Sequence, residues 1–196
     1  MLSTLIELQR LKSLERTGWM LRGLAPGAES VADHSYGVAV AAMLLADEMI
    51  ARGVVVSVER VLRMAVLHDW AEARVGDMPR TATNYFGADA RKRAERAAFD
   101  DMVSPLKAGG ASAMYTALHE DYEERASLEA RLVKAADVID LLVQTLAFER
   151  AGARGLDEFW DGVAERYLGL EGVAGEVVNE ALRQLIEERQ RVKNAQ

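Results

Sequence analysis

Cysteine is absent from this chain of 196 residues, so disulfide frameworks, thiolate nucleophiles and cysteine-bound zinc are excluded. Proline is scarce, at three residues, and no stretch rich in Pro, Gly or Ser divides the sequence. No apolar run is long enough to span a bilayer; the nearest, residues 38–45, is followed by Asp47 and Glu48. The opening residues 1–7 lack the basic start and continuous apolar stretch of a signal peptide. Basic charge is in deficit, 24 Lys and Arg against 31 Asp and Glu, giving a formal net charge of −7. That excludes a nucleic-acid-coating or membrane-surface protein, while leaving room for a small anionic substrate held by a few arginines. The expectation is a soluble, cytoplasmic chain. Histidine is also sparse, at three residues, and two of the three stand beside aspartates.

Half of the residues are hydrophobic, enough for one sizeable core. Their spacing is helical almost throughout. Leu5, Leu8, Leu11 and Leu14 form a stripe that Gly18 interrupts. Ser30 followed by Asp33 has the form of a capping box, which predicts a helix over about 31–52 with His34 in its first turn. Ser57 caps a helix whose apolar side is Val58, Val61, Leu62, Ala65 and Val66 and which leads into His68-Asp69. Gly76 and Pro79 predict a loop. Further helices are expected over about 89–103, 112–124, 127–150, 156–167 and 173–191. The run Val54-Val55-Val56 is too short to carry a sheet. The fold class is all-α, an irregular bundle in one domain, 1–196, with a core over about 5–150 and C-terminal helices over about 156–191 packing on it.

The chemistry centres on His68-Asp69, with Asp33-His34 upstream, Glu72 and Asp77 just downstream and Asp137 further on. Polar side chains on core-facing positions are costly unless paired or coordinated. One divalent cation held by His34, His68, Asp69 and Asp137 accounts for all four. Mixed imidazole and carboxylate donors suit Mn²⁺, Co²⁺, Zn²⁺ or Fe²⁺ better than Ca²⁺. On a helix, Glu72 lies one turn beyond His68 and Asp69, and Gly76 turns the chain to deliver Asp77. Such extra carboxylates can orient a water or shuttle its proton. The plainer alternatives are a structural His-Asp hydrogen bond, a helix-start role for Ser30 and Asp33, and an Asp140 that faces solvent or an arginine. His119, among Glu120, Asp121, Glu123 and Glu124, reads as a surface histidine, and Trp70 as core.

The ordered set His34, His68-Asp69, Asp137 resembles the HD-domain metal-dependent phosphohydrolases, an all-α helical-bundle family. The segments Arg16-Thr17-Gly18-Trp19, Glu29 to Ser35, His68 to Glu72, Gly76-Asp77 and Val133 to Asp137 are similar to its 5′-deoxynucleotidase branch. The resemblance runs from about residue 5 to 150. It implies His34, His68, Asp69 and Asp137 as ligands of one divalent cation (Co²⁺, Mn²⁺, Zn²⁺, Fe²⁺ or Mg²⁺). Glu72 and Asp77 would then be the catalytic carboxylates around an attacking water, Arg16 the phosphate clamp, and Trp19 a wall near sugar and base. Asp77 and the turn after it touch substrate in the family. Here Arg80 replaces a small hydroxyl residue, so either Thr81 takes that part or Arg80 adds a phosphate contact. The segment 25–28 also makes the loop before His34 one residue longer.

The implied activity is hydrolysis of nucleoside 5′-monophosphates, preferably 2′-deoxynucleotides, by a homodimer with no nucleic-acid or membrane partner. The alternatives are hydrolysis of a nucleoside triphosphate, cyclic nucleotide or alarmone, a non-catalytic metal-binding helical module, and a metal-free dimeric regulator.

Overall fold

The computed structural model describes residues 1–106, 108–163 and 168–195, and of Arg80 the backbone alone. Among these the helices are α1 (Leu2–Leu8), α2 (Thr17–Met20), α3 (Val31–Ala51), α4 (Val58–Leu67) and α5 (Glu72–Val75). They continue with α6 (Arg80–Phe86), α7 (Ala88–Val103), α8 (Ala111–Glu124), α9 (Leu128–Arg150) and α10 (Gly172–Ala195). No strand occurs among the described residues; one isolated antiparallel bridge, Glu15 to Ser30, closes the loop that precedes α3. Among the described residues no helix is long and apolar enough to cross a membrane.

The centre of the molecule is α3 packed between α9 and α4. In α3 the buried positions Val38, Ala42, Leu45, Ala46 and Met49 repeat at helical spacing. They meet Leu132, Val133, Ala135, Ala136, Ile139 and Leu142 of α9 and Val61, Met64 and Ala65 of α4. Full burial of a leucine or methionine of this set contributes about 1.5–3 kcal/mol. The start of α3 matches its sequence signature. Ser30 Oγ accepts from the Asp33 backbone N at 3.1 Å, and Asp33 Oδ2 accepts from the Ser30 backbone N at 2.9 Å. That reciprocal cap, worth about 1 kcal/mol, holds the first turn in which His34 sits.

Several expectations need correction. Leu5 is exposed, and Thr4 is buried instead, donating to the Met102 carbonyl at 3.0 Å. The helical stripe fails there because the chain tightens to a 3₁₀ turn at Gln9–Lys12, which shifts the inward face. In α4, Val66 is half exposed, while Met64 and Leu67 face inward. The expected loop after Pro79 is the short helix α6, with Pro79 as its N-cap residue. No helix forms over 156–163: a 3₁₀ turn, Asp157–Phe159, is followed by turns, and Gly162 with φ 65° interrupts any helix. Residues 164–167 of that expected helix lie outside the described residues. The C-terminal helix is tied to the core by Arg189, which donates to both Glu149 carboxylate oxygens (2.7 and 3.0 Å) and lies 4.7 Å over the Trp160 ring.

His119 is not at the surface. It is 2% exposed and stacked on Phe99, with ring centroids 4.0 Å apart. The helix face that carries it turns inward between α7 and α4, whatever the charge of its neighbours in sequence. Burial pushes its imidazole down to about 4, whereas an unfolded histidine titrates near 6.5. The unfolded chain therefore binds this proton more readily, so stability is present above pH 6.5 and is lost as pH falls toward 4. Between pH 7 and pH 5, urea unfolding of the metal-free protein should show a loss of roughly 1–2 kcal/mol from this ring. His119→Leu should remove that portion of the pH dependence; the same loss in both proteins would show that His119 does not cause it.

Candidate functional site

Four elements converge at one end of the α3–α4–α9 core. The capped first turn of α3 presents His34, and α9 presents Asp137 opposite it. His68 is the C-cap residue of α4, where the regular helix stops. The chain then passes through tightened turns into the start of α5, with Trp70, Glu72 and Ala73 backbone N–H groups bonding three residues back. Three residues per turn eclipses positions i and i+3, so Glu72 stands above Asp69 more directly than a continuous α-helix would place it.

His68 Nδ1 lies 2.7 Å from the Ala65 carbonyl, so Nδ1–H donates and Nε2 is left as the free nitrogen. His34 Nδ1 lies 2.7 Å from Asp140 Oδ2, which likewise leaves Nε2 facing the site. Both Nε2 atoms are buried and lack a hydrogen-bond partner. Around them stand Asp69 Oδ2, at 3.1 Å from His68 Nε2 and 3.8 Å from His34 Nε2, and Asp137 Oδ1, at 3.3 Å from His34 Nε2. Ligand atoms 90° apart around an ion at roughly 2.1 Å lie about 3.0 Å from one another. Two orphaned imidazole nitrogens and two carboxylates at such separations fit a divalent cation; His34, His68 and Asp69 offer atoms within 4.8 Å of one another.

Glu72 is 4% exposed, and its Oε2 has no hydrogen-bond partner. Burial, reinforced by Asp69 and Asp77, pushes its carboxyl well above the ordinary range. Asp69 and Asp137 behave oppositely. Burial opposes their ionisation, yet His68, His34 and Arg16 hold Asp69 well below the usual carboxylate range. Lys134, His34 and His68 do the same for Asp137. The site thus sets carboxylates whose ionisation is favoured beside one that holds its proton more tightly, the division expected where a proton is moved.

Arg16 reaches across the same space, with Nη1 3.5 Å from Asp69 Oδ2 and 3.4 Å from Asp77 Oδ1. Asp77 follows Gly76, whose φ of 80° turns the chain back toward α2. It accepts from the Thr17 backbone N, while Thr17 Oγ1 donates to the Asp77 carbonyl at 2.7 Å. Asp77 therefore holds the Arg16 segment in place. Trp19 borders the cleft but is itself 2% exposed, donating Nε1–H to Glu29 and packing on Phe148 and Phe159. Thr81 also lines the cleft, and the side chain of Arg80 lies outside the described residues. The cleft measures about 630 Å³, a size usual for small-molecule sites. Arg16, Arg22, Arg91, Arg125 and Lys134 give its walls positive charge against the acids at the base.

Three partners lie beyond the sequence reading. Asp140, expected to face solvent or an arginine, is instead the partner of His34 Nδ1. Lys134 donates to Asp137 Oδ2 at 2.6 Å, and Tyr122 Oη to the same oxygen at 3.3 Å, leaving Oδ1 to face His34. The i, i+3 spacings of Lys134, Asp137 and Asp140 along one helix face carry a usable signal. Tyr122, on a different helix, has none.

A family model described as HD domain matches residues 8–166. The chain is 32% identical over 160 residues to a Xenopus laevis protein named 5′-deoxynucleotidase HDDC2, covering 81% of this chain and 75% of that protein. It is 31% identical over 179 residues to the Schizosaccharomyces pombe 5′-deoxynucleotidase hdd1, covering 88% and 86%. A Pyrococcus horikoshii protein of known crystal structure superposes with a TM-score of 0.79 at 33% identity, over 96% of this chain and 99% of that one. The arrangement of helices around His34, His68, Asp69 and Asp137 and these matches lead to one conclusion: the chain belongs to the HD-domain family.

Proposed function

We propose that this chain, acting as one HD domain over residues 1–196, hydrolyses nucleoside 5′-monophosphates, 2′-deoxynucleotides foremost, to nucleoside and phosphate. His34, His68, Asp69 and Asp137 would hold one divalent cation (Co²⁺, Mn²⁺, Zn²⁺, Fe²⁺ or Mg²⁺). The observation that carries the reading is the pair of buried, partnerless Nε2 atoms flanked by two carboxylates, with the buried carboxyl of Glu72 lining the same cleft as His68, Asp69 and Asp137. The 5′-deoxynucleotidase activity named for the Xenopus and fission-yeast relatives supports the substrate class.

When bound, the cation withdraws charge from a phosphoryl oxygen and makes a neighbouring water easier to deprotonate. Glu72 takes the proton of the attacking water at its free carboxyl oxygen, and its raised proton affinity suits that task. Arg16 supplies a planar guanidinium that pairs with two phosphate oxygens and offsets the charge that develops on them. Asp77 acts beside Glu72 as the second catalytic carboxylate and keeps Arg16 aimed by its contact with Nη1. Trp19, which borders the cleft, forms the wall of the sugar and base end, the place from which a 2′-hydroxyl would be disfavoured. Thr81 and Arg80 complete the substrate contacts. Exposed Tyr36, Leu44 and Val143 on α3 and α9 support a homodimer, and the lack of cysteine fits a reducing cytoplasm.

A substrate panel tests the reading. With each cation in turn, dAMP and dTMP should release inorganic phosphate with a higher kcat/KM than AMP, and dATP should yield no pyrophosphate. Preferred release of pyrophosphate, or preferred opening of a cyclic nucleotide, would overturn the monophosphate assignment.

A further inference from the structure

We propose that Asp140 is the positioning residue for His34, and that Gly37 is glycine because only a missing side chain lets Asp140 reach the ring. The proposal rests on the reading of His34 as a cation ligand. His34 and Gly37 are three residues apart on one face of α3, and Asp137 and Asp140 are three apart on the facing side of α9. The two pairs interlock. Asp137 Oδ1 stands 3.3 Å from His34 Nε2, and Asp140 Oδ2 stands 2.7 Å from His34 Nδ1, so the ring is held from both edges.

The Asp140 carboxylate occupies the space a side chain at residue 37 would need. A Cβ on Gly37 would fall 1.9 Å from Asp140 Oδ1 and 2.6 Å from its Cγ, well inside any tolerated contact. Glycine in a helix interior is disfavoured, and α3 offers no turn or positive φ at this position to call for one. The close approach of Asp140 supplies the reason. Glu29 is the other acid near Nδ1, but its carboxylate takes the indole N–H of Trp19, which leaves Asp140 as the acceptor.

A carboxylate that accepts from Nδ1–H fixes the tautomer, aims Nε2 at the cation and raises its basicity. Loss of such a partner weakens metal binding about 10–100-fold. The test measures Zn²⁺ affinity by competition with a chromophoric chelator. The proteins are the unaltered chain, Asp140→Ala, Asp140→Asn, Gly37→Ala and the Gly37→Ala/Asp140→Ala double variant, each checked for folding by circular dichroism. Asp140→Ala and Gly37→Ala should each lose about 10–100-fold in affinity. The double variant should lose no more than Asp140→Ala, because the carboxylate that a methyl group on residue 37 would displace is already gone. The near-isosteric Asp140→Asn, which keeps the acceptor and loses the charge, should fall between. In the zinc-loaded protein, ¹⁵N-histidine spectra of three rings should show a downfield, hydrogen-bonded His34 Nδ1–H that Asp140→Ala abolishes.

Unchanged affinity in folded Asp140→Ala, or losses that add in the double variant, would overturn the positioning role alone. Failure of the unaltered protein to bind the cation would overturn both this inference and the ligand assignment beneath it.

Discussion

Glu72→Gln should slow phosphate release from a deoxynucleoside monophosphate by about 10²–10⁴-fold, the range over which a positioned proton acceptor acts. The substitution preserves the size and planarity of the side chain, so the packing around this 4% exposed residue stays intact. What changes is the proton. A carboxylate can accept one from the attacking water, and an amide cannot. Because Glu72 is not among the four proposed ligands, cation affinity and thermal midpoint should be close to those of the unaltered protein. That combination separates a chemical role from a structural one. Activity within a few-fold of the unaltered enzyme would remove Glu72 from the mechanism, and loss of bound cation along with activity would make it a ligand.

Stripping the cation with a chelator should abolish turnover to the background rate and lower the thermal midpoint together. The site holds Asp69, Glu72, Asp77 and Asp137 close to one another, with Arg16 and Lys134 in direct contact to offset part of their charge. A cation that binds only the folded chain adds stability by mass action, about 2.7 kcal/mol when its concentration is a hundred times its Kd. In a chain of this length that corresponds to a midpoint shift of roughly 5–10 °C. Re-addition of Co²⁺ or Mn²⁺ should restore both quantities at one equivalent per chain. Full activity after verified removal of metal would contradict the proposed chemistry, and an unchanged midpoint would contradict binding at a buried site.

Much of the architecture is legible in the sequence because local signals and packing agree. The Ser30–Asp33 box marks the start of α3 to the residue, and Ser57 and Ser127 cap α4 and α9 as their hydroxyls predict. His34 sits in the capped first turn of α3 and His68 and Asp69 at the end of α4, while Asp137 reaches them from the interior of α9, which packs along α3. Where tertiary packing overrides local pattern, the reading fails. His119 looks solvated from its acidic neighbours, yet the face that carries it is chosen by the fit of Phe99 against its ring. The helix expected over 156–167 is interrupted at Gly162, whose positive φ no periodicity count weighs. Asp140 is visible as a carboxylate but not as a partner, since the contact spans 106 residues and depends on the absent side chain of Gly37.

That four side chains share one cation is tested most directly by anomalous diffraction at the cobalt absorption edge from crystals of the Co²⁺-loaded protein. The expected result is one peak per chain, bounded by Nε2 of His34, Nε2 of His68 and a carboxylate oxygen each from Asp69 and Asp137, at about 2.0–2.2 Å. Glu72 should lie beside it without ligating. A peak on the opposite edge of the His34 ring, among Nδ1, Glu29 and Asp140, or no peak at this end of the core, would contradict the assignment.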